Sequence, residues 1–317
     1  MTESLQSQLF CGDRFFRHEP LSPFFQVFDF CSALMLVTNE TETPGRADIK
    51  PCRPARYLAD IEVENDGWAF TTDGYNALHI NRWTHEINCH GMTTEYKYVA
   101  DIQSETEVKD VYVALDDIVS CSSVMGTGDI SVYLNGNICS HAGWHIEKGF
   151  PTFYASEGLK KNENILMVTV RCEAWSGEPQ PLKYGAVLLG HFGVNKDGNS
   201  WHITPEPAFV SLSPWSEQGY PFYSGRARYS ERINLPGEKH FIIDLDNADG
   251  AVQLLINGQD MGTRLWAPFK WCIQTEMDKT FEDIGITIVA TNTLANYMGE
   301  ICSSGPIGPI RITPVKI

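Results

Sequence analysis

A chain of 317 residues, 43% apolar with an ordinary 20% of charged residues, is long enough for two folded units with buried cores and too apolar to stay disordered. Its 40 acidic and 24 basic residues leave a net charge of −16, a field that repels phosphate backbones and anionic bilayers, so neither nucleic acid nor a membrane is an expected partner. No apolar run reaches the roughly 18 residues a spanning helix needs, and the first residues, MTESLQSQLFCGDRFF, do not read as a leader.

Residues 1–56 form a segment of their own. SALMLVTN within it has the apolar run of a buried strand, and PGRADIKPCRP, with three prolines, is a connector. The segment is expected to be a remnant of a preceding domain or a strand donated to the first sandwich. From Tyr57 strand patterns follow one another: RYLADIEVE, GWAFTT, NALHINRW, EYKYVADIQ, VKDVYVALDD, DISVYLNG and NILMVTVRCEAW. LKYGAVLLGHFGV closes this unit. A second series runs through PAFVSLS, GRARYSERINL, KHFIIDLD, AVQLLING, TRLWAPF and IGITIVATN to GPIGPIRITPVKI. Short alternating runs broken by turn residues predict an all-β antiparallel sandwich or barrel. Leu212 to Tyr223, aromatic and rich in turn formers, predicts an ordered loop.

The two series repeat each other. SVYLNGN and QLLINGQ each alternate apolar residues on one face and end in Asn-Gly, which supplies the positive φ angles of a tight hairpin. Trp144 follows Asn135 at the distance at which Trp266 follows Asn257. YVADI answers YSERI, NILMVTV answers IGITIVA, and Trp68 and Trp83 answer Trp201 and Trp215. The period is that of a whole domain, so the division expected is 57–199 and 200–317, with an insertion near Ser120 to Gly128 in the first copy.

The series Trp68-x-Phe70, Asn76-Ala77-Leu78-x-Ile80-x-x-Trp83, Tyr98, Val132-x-Leu134-Asn135-Gly136 and Trp144 resembles the sugar-binding β-sandwiches of large glycoside hydrolases related to family 2. GYPFYSGRARY, INGQDMGTRLWAPF, TNTLANYM and SGPIGPIRI in the second copy are similar to the C-terminal galactose-binding-like jelly rolls of bacterial glycosidases acting on plant polysaccharides. The resemblance covers Trp68 to Ile317. It implies two tandem jelly-roll β-sandwiches, a non-catalytic role beside a glycosidase barrel, and carbohydrate as partner. The chain has no room for a barrel of about 250 residues beside the repeats, so no catalytic residue is expected. By the same resemblance structural calcium is the ion to look for, although the Asp- and Asn-rich turns single out no ligand set. No other cofactor is expected.

Aromatic rings stack on sugar faces while a few placed polar groups fix the hydroxyls. The six duplicated tryptophans are read as scaffold, with Trp144 and Trp266 kept as candidates because they follow the hairpins. Trp175, in the turn-rich EAWSGEPQP, and Trp271, in FKWCIQ, have no counterpart and are candidate sugar contacts. Tyr220, Tyr223 and Arg264 join them. Asp116-Asp117 reads as a solvated strand end, since adjacent strand residues face opposite ways. His141 and His145, four apart in a loop, make no metal pair. The nine cysteines are scattered without a C-x-x-C pair, so free, mostly buried thiols in a reducing compartment are expected, unless a secretory leader has been removed.

Overall fold

The computed structural model describes residues 25–27, 56–90, 93–115, 130–144, 151–173, 185–235, 237–275 and 281–316. It is all-β: the described residues form strands with a single 3-10 turn at Trp215–Glu217. None of their helical turns is long and apolar enough to cross a membrane. Alternation of buried and open positions along the strands, as in Ile130–Leu134 and Ala251–Ile256, follows from the two-residue period of the pleat.

Four sheets enclose two cores. The first core lies between a sheet ordered Asn137–Ile138, Ile130–Leu134, Asn162–Glu173, Thr93–Ser104, Ser200–Thr204 and Gly193–Asp197 and a sheet ordered Ser140–Trp144, Pro151–Ala155, Val111–Leu115, Ala186–Gly190 and Asn76–Ile80. The second lies between Phe209–Val210, Trp68–Thr72, Arg226–Leu235, Phe281–Thr291, Ala251–Ile256 and Gln259–Arg264 on one side and Phe25–Val27, Phe269–Thr275, His240–Asp249, Gly305–Lys316 and Arg56–Tyr57 on the other. Strand pairs are antiparallel except where Ile203 meets Ser104.

Corresponding residues of the two series have corresponding strand partners. Tyr98 faces Val168, which faces Val132; Tyr229 faces Ile288, which faces Leu254. The hairpin asparagines do the same work in both copies. Asn135 and Asn257 have φ of 52° and 49°, and their glycines follow at 82° and 79°. Each asparagine donates its backbone N–H to the neighbouring strand, to Ile165 O and Gly285 O. Each side-chain Oδ1 then accepts the backbone N–H of that same residue at 2.9 Å. Few side chains besides Asn tolerate this conformation and return such a bond, which explains why the dipeptide recurs.

The expected division at 57 and 200 does not match the strand pairing. Trp68–Thr72 joins the second core by pairing with Arg226–Leu235, and Arg56–Tyr57 and Ile61–Glu62 pair with Gly305–Lys316. Conversely, Ser200–Thr204 pairs with Gly193–Asp197 and belongs to the first core. Trp68 and Trp201 are thus in the opposite units from those expected. The described residues of 76–204 form a sandwich set inside the second, which is assembled from Phe25–Val27 and the described residues of 56–72 and 209–316. Within 1–56, Phe25–Val27 pairs with Phe269–Thr275, a donation to the second sandwich, not the first. The SALMLVTN strand and the expected insertion lie outside the described residues.

Where the units meet, the loop following Trp215–Glu217 is wedged between them. Asn76 is buried and donates through Nδ2 to Phe192 O at 2.8 Å and Gly219 O at 2.9 Å, tying the sandwiches through one amide. Phe222 packs edge-on against His79 of the first sandwich at 5.0 Å between centroids, and Tyr297 lies beyond. Burial in this apolar junction lowers the pKa of His79, partly offset by a backbone hydrogen bond to Tyr297. The unfolded chain therefore takes up a proton more readily than the folded one. Stability is expected to be independent of this group above its ordinary value near 6.5 and to fall as pH drops below it. Thermal melts from pH 7.5 to 5 should show a steeper loss in the wild type than in His79→Gln; equal slopes would refute the assignment.

Candidate functional site

The structure separates the sequence candidates by burial. Tyr220, Tyr223 and Trp271 are each only 1% exposed, so the expectation that they contact a ligand is corrected: they are core. Their polar atoms are already satisfied, as buried groups require. The Tyr220 hydroxyl donates to Glu206 Oε1 at 3.2 Å, the Tyr223 hydroxyl to Arg226 O at 2.6 Å, and Trp271 Nε1 to Gly262 O at 2.9 Å. Burial raises both phenols, Tyr223 to about 12. The loop is ordered, as its composition predicted, and turns Tyr220 and Tyr223 into the core of the second sandwich.

Arg264 donates to Lys270 O and Thr263 O and places its guanidinium 5.6 Å from the Trp271 ring, a bracing role. Trp266 is 74% exposed on the bend after Gln259–Arg264, which corrects its reading as scaffold. Trp144 ends the strand Ser140–Trp144; its side chain lies outside the described residues, as do Trp175, His145 and Asp116-Asp117. Trp68 and Trp215 are fully buried scaffold, as expected. Cys89, Cys139 and Cys302 are free thiols, and burial pushes Cys139 up to about 11.

The residue that reading undervalued is Trp201. It is half-buried: it packs against the first core, with Phe222 edge-on at 5.0 Å, and lines a cleft of about 720 Å³. Gln103, Ser104, Glu105, Lys161, Asn162, Asp197, Ser200 and His202 make up the rest of that wall. Three local structures bring them together. The end of Thr93–Ser104 is fixed by Glu105 N donating to Ile203 O at 2.8 Å and by Ser104 Oγ donating to Thr106 O at 2.7 Å. Asn162, with φ of 79°, turns the chain into Asn162–Glu173. The hairpin Asp197–Ser200 carries Gly198 at a φ of 56°, and Arg82 clasps it through Asn199 O and Ser200 Oγ.

The electrostatics are mixed and nearly balanced. Glu105, Asp197 and Lys161 line the cleft together, and His202 Nε2 lies 3.1 Å from Glu105 Oε1. The exposed Lys196 ammonium lies 5.4 Å from the Trp201 ring centroid. The cleft therefore combines an aromatic face with amide, carboxylate and ammonium groups that can donate and accept, at a volume typical of small-molecule sites. Among the described residues no cluster of three His, Cys, Asp or Glu side chains is placed to hold a metal. The cleft's residues come from segments nearly 100 positions apart in sequence, and only Trp201 carried a local signal.

No family model and no curated protein matches the chain. Among solved structures it is similar to a rhamnosidase from Novosphingobium sp. PP1Y, at 16% identity over 77% of this chain and 25% of that one, with a TM-score of 0.29. It is also similar to a Streptomyces avermitilis alpha-L-rhamnosidase complexed with L-rhamnose, at 10% identity over 80% and 28% of the two chains, with a TM-score of 0.28. A Pleurotus ostreatus lectin follows at 13% identity over 86% of each chain, with a TM-score of 0.21. The chain spans about a quarter of the length of the rhamnosidases it matches. At these TM-scores the likeness carries no argument, and function has to be read from the site.

Proposed function

We propose that this protein is a non-catalytic carbohydrate-binding pair of β-sandwiches, serving a glycoside hydrolase whose catalytic barrel is supplied elsewhere, and that the Trp201 cleft takes a neutral oligosaccharide. The observation that supports this reading is one half-buried indole in an otherwise polar cleft, with donors and acceptors of both charges around it. A sugar offers the complement: an apolar ring face for the indole, displacing Lys196, and hydroxyls that both donate and accept. Lys161 and the His202 ring serve hydroxyl oxygens; Glu105 and Asp197 serve hydroxyl protons. The Glu105–His202 pair is open to water and held by no third group, so it positions hydroxyls and does not act as an acid–base couple.

Isothermal titration with a panel of neutral oligosaccharides from plant cell walls tests this. Saturable heat is expected, weakened at least about tenfold, or 1.4 kcal/mol, by Trp201→Ala. Heat that persists in the variant would remove the cleft from consideration, and turnover of an aryl glycoside would replace the binding module with an enzyme.

A further inference from the structure

The strand Thr84–His90 lies against Thr93–Ser104 at an edge of the first sandwich, in an unbroken register from Thr84 opposite Val99 to His90 opposite Thr93. Every residue from Thr84 to Cys89 is exposed, so neither face of the strand is buried. Which of its backbone groups turn outward follows from the sheet behind it. Ile165 directs its carbonyl and N–H to Asn135, so by alternation Leu166 and Ala100 bond to each other and Val99 turns to Thr84. Thr84, Glu86, Asn88 and His90 therefore bond within the hairpin, and His85, Ile87 and Cys89 point their N–H and C=O groups away from it. Among the described residues no backbone group meets those three. Nothing blunts this edge, for the strand has no proline, no lysine and no bulge. Its charges are matched: Lys97 Nζ lies 3.3 Å from Glu86 Oε2, and Arg171 Nε 2.7 Å from Glu95 Oε2. Ile87, 44% exposed, stands opposite Tyr96, which packs against the first core.

We propose that Thr84–His90 is a dimer contact, pairing antiparallel with the same strand of a second copy about a two-fold axis at Ile87. The strand's own register selects that occupant. With Ile87 opposite the partner's Ile87, His85 meets the partner's Cys89 and Cys89 meets the partner's His85. All three open residues of each copy then gain a ladder partner. A slip of two residues leaves one of them unpaired, and a slip of one sets outward groups against inward ones. The side chains agree with the same register. On one face Glu86 lies across from the partner's Asn88, an acceptor beside a donor, and no like charges are opposed. On the other, the two isoleucines meet at the axis between two Tyr96 rings, extending the apolar surface of each first core. A chain of net charge −16 resists approach by its own copy over most of its surface, and this strip, with its charges matched, is where that resistance is least. The cleft lies at the far end of Thr93–Ser104, so the inference rests on none of its residues and on no reading of what it binds.

Sedimentation velocity of the full chain, from low micromolar to about 300 µM, tests this together with hydrogen exchange read residue by residue. A shift from monomer to dimer is expected within that range, because a seven-residue edge buries less than a standard interface. The amides of His85, Ile87 and Cys89 should gain protection as concentration rises, while those of Glu86 and Asn88, already bonded within the hairpin, should not change. Ile87→Lys, at an open position, should keep the melting temperature of the dilute protein and weaken the dimer at least about tenfold. Ile165→Lys, at another exposed isoleucine of the same sheet, should leave the dimer intact. A monomer across the whole range, a dimer that survives in Ile87→Lys, or protection that rises equally at Glu86 and Asn88 would each overturn the pairing.

Discussion

Trp68→Ala is expected to cost roughly 3–5 kcal/mol, with the loss falling on strands more than 150 residues away in sequence. The indole is fully buried, donates through Nε1 to Glu64 O at 3.0 Å, and belongs to the core that Trp215, Tyr229 and Ile286 fill. Its strand pairs with Arg226–Leu235, and the neighbouring Phe70 lies edge-on to Tyr229 at 5.0 Å. Hydrogen exchange resolved by segment gives the measurement. Faster exchange should appear in Arg226–Leu235 and Phe281–Thr291, while Thr93–Ser104 and Asn162–Glu173 keep their protection. Loss confined to the latter pair would mean that residues 56–72 belong to the first sandwich after all.

Asn296→Leu should destabilise the protein by at least about 3 kcal/mol, although it exchanges one buried side chain for another of similar size. Asn296 Nδ2 donates to Pro221 O and to Cys302 O, both at 2.9 Å, and its Oδ1 accepts from Asn292 Nδ2 and Ser304 Oγ. Leucine satisfies none of these, and each buried group stranded by the change costs about 1–3 kcal/mol. Pro221 precedes Phe222, the ring that braces both His79 and Trp201, so the variant should also weaken any ligand of the cleft. Chemical denaturation with an unchanged m-value checks the first effect and calorimetry the second. Wild-type stability in Asn296→Leu would show that water replaces the amide.

What could be read from the sequence was what is encoded locally. The alternation around Leu134 and Ile256, and the Asn-Gly turn after each, fix strand, face and hairpin within seven residues; their register in space follows. Which sandwich receives an edge strand is not a local property. Trp68 and Trp201 sit in similar strand patterns and differ only in the partner each finds across the fold, so their positions were exchanged. Tyr220 and Tyr223 stand among turn formers, and Trp271 beside a lysine, yet all three point into the core of their own sandwich, which no local pattern shows. The cleft is assembled from single residues on several strands, each unremarkable in its own stretch. Only pairing places Tyr112 beside Tyr154.

The nested arrangement has a mechanical corollary. Arg56 stands opposite Lys316 on adjacent antiparallel strands, and the chain leaves and re-enters the outer sandwich between Thr72 and Phe209. A force applied across that pair first loads the outer unit, peeling Arg56–Tyr57 from Gly305–Lys316 one rung at a time. The inner unit, carrying the cleft, hangs outside that line of force and keeps its shape until the outer one has opened.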